Sequence, residues 1–252
     1  ISNTGVGRYS VDIADGATIT MDVDHNNDAS DITGAGATEQ VTMADASGAA
    51  RSFDAADVTT GADTIVDTSH GFTTGDAVTY TIPDGGTALN NLTSGSVYYV
   101  VRVDANTYKL ASSYANAVAS TPTVIDLTDT QGNGHIITET IVAHDKVETY
   151  ALANGVNTVR INAADLDTNV TGNANNDTVD VAGLTVTGTY NLAGGSDVIS
   201  TLNGAHIGGA TISNTGVGRY SVDIADGATV TMSVDINNDA LNISGAAGTE
   251  TV

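Results

Sequence analysis

Four short runs place oxygen-bearing side chains at alternate positions, the spacing with which a chain can wrap a hard cation. They are Asp24-His25-Asn26-Asn27-Asp28, Asp165-Leu166-Asp167-Thr168-Asn169, Asn173-Ala174-Asn175-Asn176-Asp177 and Asp235-Ile236-Asn237-Asn238-Asp239. A fifth candidate is the Asp of Ala193-Gly194-Gly195-Ser196-Asp197. The candidate ligands are therefore Asp24, Asn26, Asp28, Asp165, Asp167, Asn175, Asp177, Asp197, Asp235, Asn237 and Asp239, and the ion they suit is calcium. The same side chains have a second use, satisfying the backbone of turns through local hydrogen bonds. Residue type leaves both open. The chain has 26 Asp and only 4 Glu, so its acidity takes the short carboxylate that both uses prefer. No cysteine is present, which excludes thiolate metal sites and disulfides. The five histidines fall in no metal-ligand spacing. No Gly-x-Ser-x-Gly elbow, phosphate loop or His-Glu-x-x-His motif occurs, so no catalytic residue is assigned and the expectation is a protein that is not an enzyme.

The elements that must position these runs are strands. One stretch occurs twice: Ile1–Val41 and Ile212–Val252 agree at about four positions in five, at a fixed offset of 211 residues. Within it, Tyr220, Val222 and Ile224 alternate with Ser221, Asp223 and Ala225. Val230, Met232, Val234 and Ile236 likewise alternate with polar residues. Asn237-Asn238-Asp239 then breaks the run as a turn. Farther back, Asn157-Thr158-Val159, Asp177-Thr178-Val179 and Asp197-Val198-Ile199 recur every twenty residues, with Asp239-Ala240-Leu241 about two steps later. A period near twenty with Gly/Asn turns is that of a β-solenoid, in which each turn buries its neighbour's apolar face. A β-sandwich with accidental spacing is the competing arrangement.

The expected fold class is all-β: a parallel β-solenoid, β-helix- or β-roll-like, with an inserted small antiparallel β module. Residues 1–57 form the first solenoid part and 58–140 the module, which holds most aromatics and both prolines. Residues 141–252 continue the solenoid into the next copy. Ser112–Ala119 is the best helix candidate. Taking about 80 residues out of a 211-residue repeat leaves about six turns, a rise of roughly 30 Å at the spacing of β-strands.

The Asp/Asn runs resemble the first half of an EF-hand loop, but lack its Gly at the sixth position and Glu at the twelfth. Gly172–Val179 and Ala193–Ile199 resemble degenerate repeats-in-toxin turns, a resemblance that implies calcium held between coils. HGFTTGDAVTYTIPDGG, LTSGSVYYVVRVDANTYKLASSYANA and IDLTDTQGNGH resemble a small β module of very large bacterial and phage surface proteins. That implies a spacer or decoration role with no assigned chemistry.

A net charge of −23 disfavours nucleic acid and anionic lipid as partners, and no segment is long and apolar enough for membrane insertion. The expected function is that of an extracellular or cell-surface structural tandem-repeat protein. It would build a stiff rod, fibre or surface-layer-like assembly, stabilised by calcium and associating end to end into a filament or array. The alternatives are an adhesin module binding a glycan or surface through residues 58–140, and a phage tail-fibre segment.

Overall fold

The computed structural model describes the chain apart from residues 1–8, 35–37, 84–85, 130, 145–146, 162, 165, 203, 215–219, 226–227, 233–238 and 246–250, and the side chains of residues 30 and 34. The first stretch holds β1 (Tyr9–Ile13), β2 (Thr18–Met21), α1 (Val23–Asp28), β3 (Ala29–Gly34) and β4 (Gln40–Met43). Next come β5 (Arg51–Phe53), β6 (Val58–Thr59), β7 (Thr64–Val66), β8 (Ala77–Thr81), β9 (Ser96–Arg102), β10 (Thr107–Ala111), α2 (Tyr114–Ala117) and β11 (His135–Glu139). The remainder comprises β12 (Ile141–Val142), β13 (Thr149–Ala151), β14 (Asn157–Arg160), β15 (Asn169–Thr171), β16 (Asp177–Ala182), β17 (Thr189–Asn191), β18 (Val198–Thr201), β19 (Thr211–Ser213), β20 (Ser221–Ile224) and β21 (Asn242–Gly245).

Two compact units result. Residues 10–48 and 141–252 form a parallel β-solenoid; residues 49–140 form an antiparallel unit. In the solenoid, successive strands from β12 to β20 alternate between two parallel sheets. One runs β2-β4-β13-β15-β17-β19, the other β12-β14-β16-β18-β20-β21. A third ladder links Thr185, His206 and Thr231, and Thr229 with Thr251. Continuous parallel pairing of this kind excludes the sandwich, whose sheets are antiparallel.

Register follows the expected period only in part. Asn157 pairs with Asp177 and Thr178 with Val198, a step of 20 residues. Val198 then pairs with Ser221 and Ser221 with Asn242, steps of 23 and 21. Two steps on from Asp197 the stack therefore reaches Leu241, not Asp239. The inner faces supply the core. Val41, Tyr150, Val170 and Tyr190 fill one sheet's interior, and Ile141, Val159, Val179, Ile199 and Val222 the other's, all at most 1% exposed. Each buried column is extended by the turn above and below, which is why a single turn could not fold alone.

The two copies of the repeated stretch build the same strands. Residues 10–13 and 221–224 are both strand, as are 31–34 and 242–245. The pairing of Thr18 with Gln40 reappears as that of Thr229 with Thr251.

The antiparallel unit is one sheet in the order β5-β11-β8-β9-β10-β7-β6. It includes Arg51–Phe53, which pairs with Ile137–His135, so the unit takes in residues ahead of the composition change at Asp57. Phe53, Ile65, Tyr80, Val100, Tyr108, Leu110, Leu127 and Ile137 form its core. The Tyr80 hydroxyl accepts from Leu89 N–H and bonds His135 Nδ1 at 2.8 Å, so this buried polar end is satisfied, whereas the buried Tyr108 hydroxyl has no hydrogen-bond partner. The expected helix appears as one short turn, α2, capped by the Ser113 side chain.

Candidate functional site

The runs singled out for cation chemistry separate into two kinds of place. The first is a corner of the solenoid just before the β12-to-β21 sheet. Asn157, Asp177 and Asp197 enter it one per turn, each at most 1% exposed. The Asp177 carboxylate accepts from Asn157 N–H at 3.2 Å and Asn157 Nδ2 at 2.9 Å through Oδ1. Its Oδ2 accepts from Asn173 N–H at 2.9 Å and Asn173 Nδ2 at 3.0 Å. Asp197 repeats the motif one turn on: Oδ1 accepts from Asp177 N–H at 2.9 Å and Oδ2 from Asn214 Nδ2 at 2.8 Å. Asn173 closes the same corner by donating to Ala153 O and Gly155 O. Gly172 and Gly195 are required here, because a Cβ on either would run into backbone of an adjacent turn.

Burial pushes both carboxyls up, against the hydrogen bonds that favour the anion. For Asp197, with the Asp177 charge adding to the effect, the value is pushed up to about 6. Every oxygen of the pair faces an N–H donor. The stack is a capping device running along the solenoid and does not offer the oxygen cage that calcium needs. Asn175 belongs to the same corner and spends its amide on Asn173 Oδ1 and Asn154 Oδ1.

The second place is α1, where a turn was expected. Asp22 caps the helix by accepting from His25 N–H at 2.7 Å, and Asp45 accepts from Val23 N–H at 2.9 Å. Asn26 and Asn27 are buried, with side chains turned to the edge of β12. Asn26 Nδ2 donates to Val142 O at 2.9 Å and Asn27 Oδ1 accepts from Val142 N–H at 3.0 Å. Two side-chain amides thus complete the backbone pairing that an adjacent strand would supply. His144 Nε2 bonds Asn26 O at 2.8 Å. Asn26 is a structural bridge across more than a hundred residues. Asp24 and Asp28 occupy the rest of α1. Burial, then the carboxylates of Asp22, Asp28 and Asp45, push the Asp24 carboxyl up.

Asp167 is exposed, and Asp239 lines a surface hollow with Ile212, Ser213, Asn214 and Tyr220. Asp165, Asp235 and Asn237 lie outside the described residues. Among the described residues, within either unit by itself, no three acidic or histidine side chains converge on one point.

Sequence reasoning missed a further acid pair. Glu39 and Glu148 sit one turn apart, just before β4 and β13, and Glu39 N–H donates to Glu148 Oε2 at 3.1 Å. Glu39 is fully buried. Burial and the hydrogen bond to the Glu39 carboxyl raise the Glu148 value. The 109-residue jump from Gln40 to its partner Thr149 hid this pair. It also missed the Arg160–Asp180 ion pair, 2.5 Å long and largely buried on the β14–β16 sheet. No family model, curated protein or solved structure matches this chain.

Proposed function

We propose that this chain is a segment of an extracellular structural protein in which the 211-residue unit recurs and the solenoid runs on from copy to copy as a stiff rod. One observation carries the reading: among the described residues, strands at 221–224 and 242–245 match those at 10–13 and 31–34, and the pairing of Thr229 with Thr251 matches that of Thr18 with Gln40. A sequence duplicated by accident has no need to restore both the strands and their partners. The acidic surface keeps such a rod soluble, and edge strands β2 and β19 offer backbone for pairing with further copies.

In chain order β1, β3, β12, β14, β16, β18 and β20 open successive turns, six steps from β1 to its equivalent β20. Of these, the steps from β12 to β20 are direct strand pairings, and the edge of β12 is met by α1. At about 4.8 Å per step the unit advances roughly 29 Å. The test is small-angle scattering of this chain beside one carrying a second 211-residue unit. The expected result is a constant cross-section and a length greater by that amount. A second, separately folded body, or an advance several times larger, ends the reading.

Calcium enters this reading at α1 rather than at the Asp177–Asp197 stack. There the charges of Asp22, Asp28 and Asp45 each act on Asp24, and a divalent ion beside Asp24 would offset them.

A further inference from the structure

One face of the solenoid departs from the character of the rest of the chain. The sheet β2-β4-β13-β15-β17-β19 turns two columns of side chains outward. The first is Thr18, Gln40, Thr149, Asn169, Thr189 and Thr211; the second is Thr20, Thr42, Ala151, Thr171, Asn191 and Ser213. None of the twelve is fully buried, five being exposed and seven half-buried, and of the latter Asn191 has its Oδ1 covered. Seven are threonine, and none of the six strands contains a charged residue, in a chain with 30 acids. The other six-stranded sheet shows the contrast: on its outer side it carries the largely buried Arg160–Asp180 ion pair and the exposed Asp223.

The uncharged face is also the regular one. Its pairings run parallel with no register shift, whereas the other sheet carries an irregularity between Asp180 and Ala182. Hydroxyls and methyls therefore recur about every 4.8 Å along the axis and about 6.6 Å across it, the spacings of strands and of alternate residues. Threonine's β-branch fixes χ1, so the array is ordered before anything binds. Gln40 Nε2 reaches Thr42 Oγ1 at 3.4 Å, and Asn169 lies along the ladder, donating to Glu148 O and accepting from Thr189 N–H.

We propose that this face binds ice, the uncharged crystalline lattice of water itself. A ligand that uses six evenly spaced strands at once must be periodic, because each strand adds little and only their sum holds. Its neutrality rejects acidic polymers and mineral surfaces, which the carboxylates elsewhere on the chain would suit. Crystalline polysaccharide is the other periodic neutral surface, and sugar rings favour exposed aromatic platforms. Here Tyr150 and Tyr190, the aromatics of these strands, point inward and are fully buried. What remains outward is hydroxyl, amide and methyl on a fixed grid, a template for ordered water. This inference stands apart from the rod reading, since it needs only the six stacked strands of one chain.

The experiment measures ice recrystallisation, crystal shaping and partition into a growing ice front with the full chain. The expected result is inhibition by wild type. Thr171→Tyr with Thr189→Tyr should need about tenfold more protein, one decade in binding constant, with unchanged melting temperature. Ser200→Tyr on the other sheet should stay at wild-type level. If the double variant does not fold, Thr149→Lys takes its place with the same expectation. An inactive wild type, or face variants that keep full activity, overturns the proposal. So does wild-type binding to crystalline cellulose or chitin that the same variants abolish, which would assign the face to polysaccharide. Concentration-dependent dimers abolished by those variants would assign it to a second copy of the chain, and also overturn it.

Discussion

At Asp197 the capping stack meets the cost of burying charge. The carboxylate holds Asp177 N–H and Asn214 Nδ2, yet its value is pushed up to about 6 because desolvation outweighs those bonds. The unfolded chain binds the same proton only near the ordinary value of 3.8. A raised value means that the folded form holds the proton more tightly, so this contribution to stability is fully present below about pH 4 and is lost as pH rises through about 6. Asp177 and Asp180 shift in the same direction. Chemical denaturation across that window should therefore show a more stable protein at pH 5 than at pH 7. Asp197→Asn should remove about 1 kcal/mol of the difference, the part of the linkage that falls between pH 5 and pH 7. An unaltered pH slope in the variant would show that the carboxyl titrates normally. The α1 acids carry a separate expectation. Millimolar calcium should raise the melting temperature by a few degrees, the effect of about 1–3 kcal/mol from an ion well above its dissociation constant. Asp24→Asn with Asp28→Asn should abolish that rise, and Asp177→Asn should not. Equal calcium response in all three proteins would remove calcium from α1.

Element by element, the parts legible in the sequence were those repeated by adjacent turns. The twenty-residue recurrence of Asn157, Asp177 and Asp197 is a true stacking register, because consecutive turns there have equal length. It failed at Asp239, where turns of 23 and 21 residues carry the register past it. Helix α1 was illegible for a different reason. Val23–Asp28 has poor helix formers, and its role lies in Asn26 and Asn27 reaching Val142, a partner that no local pattern reveals. Within that run Asn26 and Asn27 serve as a strand-edge cap. Asn27→Ala should leave Val142 N–H without its acceptor, and Asn26→Ala should leave Val142 O without its Nδ2 donor and the Tyr150 hydroxyl without Oδ1, while the His144 contact to the Asn26 backbone carbonyl stays. Each loss should cost about 1–3 kcal/mol, the desolvation penalty of an orphaned buried group. Hydrogen exchange at the Val142 amide gives the local readout; protection in Asn27→Ala equal to wild type would show that the cap carries no weight.

At the scale of the whole chain, the distance between Gln40 and its ladder partner Thr149 is 109 residues, although every other step in that sheet is 20 or 22. The ladder nevertheless passes between them without a break in register. The corners explain how. From Ala151 to Val159, from Thr171 to Val179 and from Asn191 to Ile199, the path from one sheet to the next takes eight residues, the difference of the paired positions in each case. Joining Gly48 directly to Thr140 makes the path from Thr42 to Ile141 eight residues as well, since six residues from Met43 to Gly48 and Thr140 precede Ile141. The antiparallel unit therefore interrupts a corner that is already complete in length, and its own core of Phe53, Tyr80, Tyr108 and Ile137 asks nothing of the solenoid interior. A chain lacking residues 49–139 should fold to the same parallel stack, with its β-sheet circular dichroism, a single cooperative melt and protected amides at Tyr150 and Val170. If that chain is instead uncooperative, with those amides exchanging freely, the inserted residues are needed to close the turn between β4 and β12, and the solenoid cannot be the primary structure of this protein.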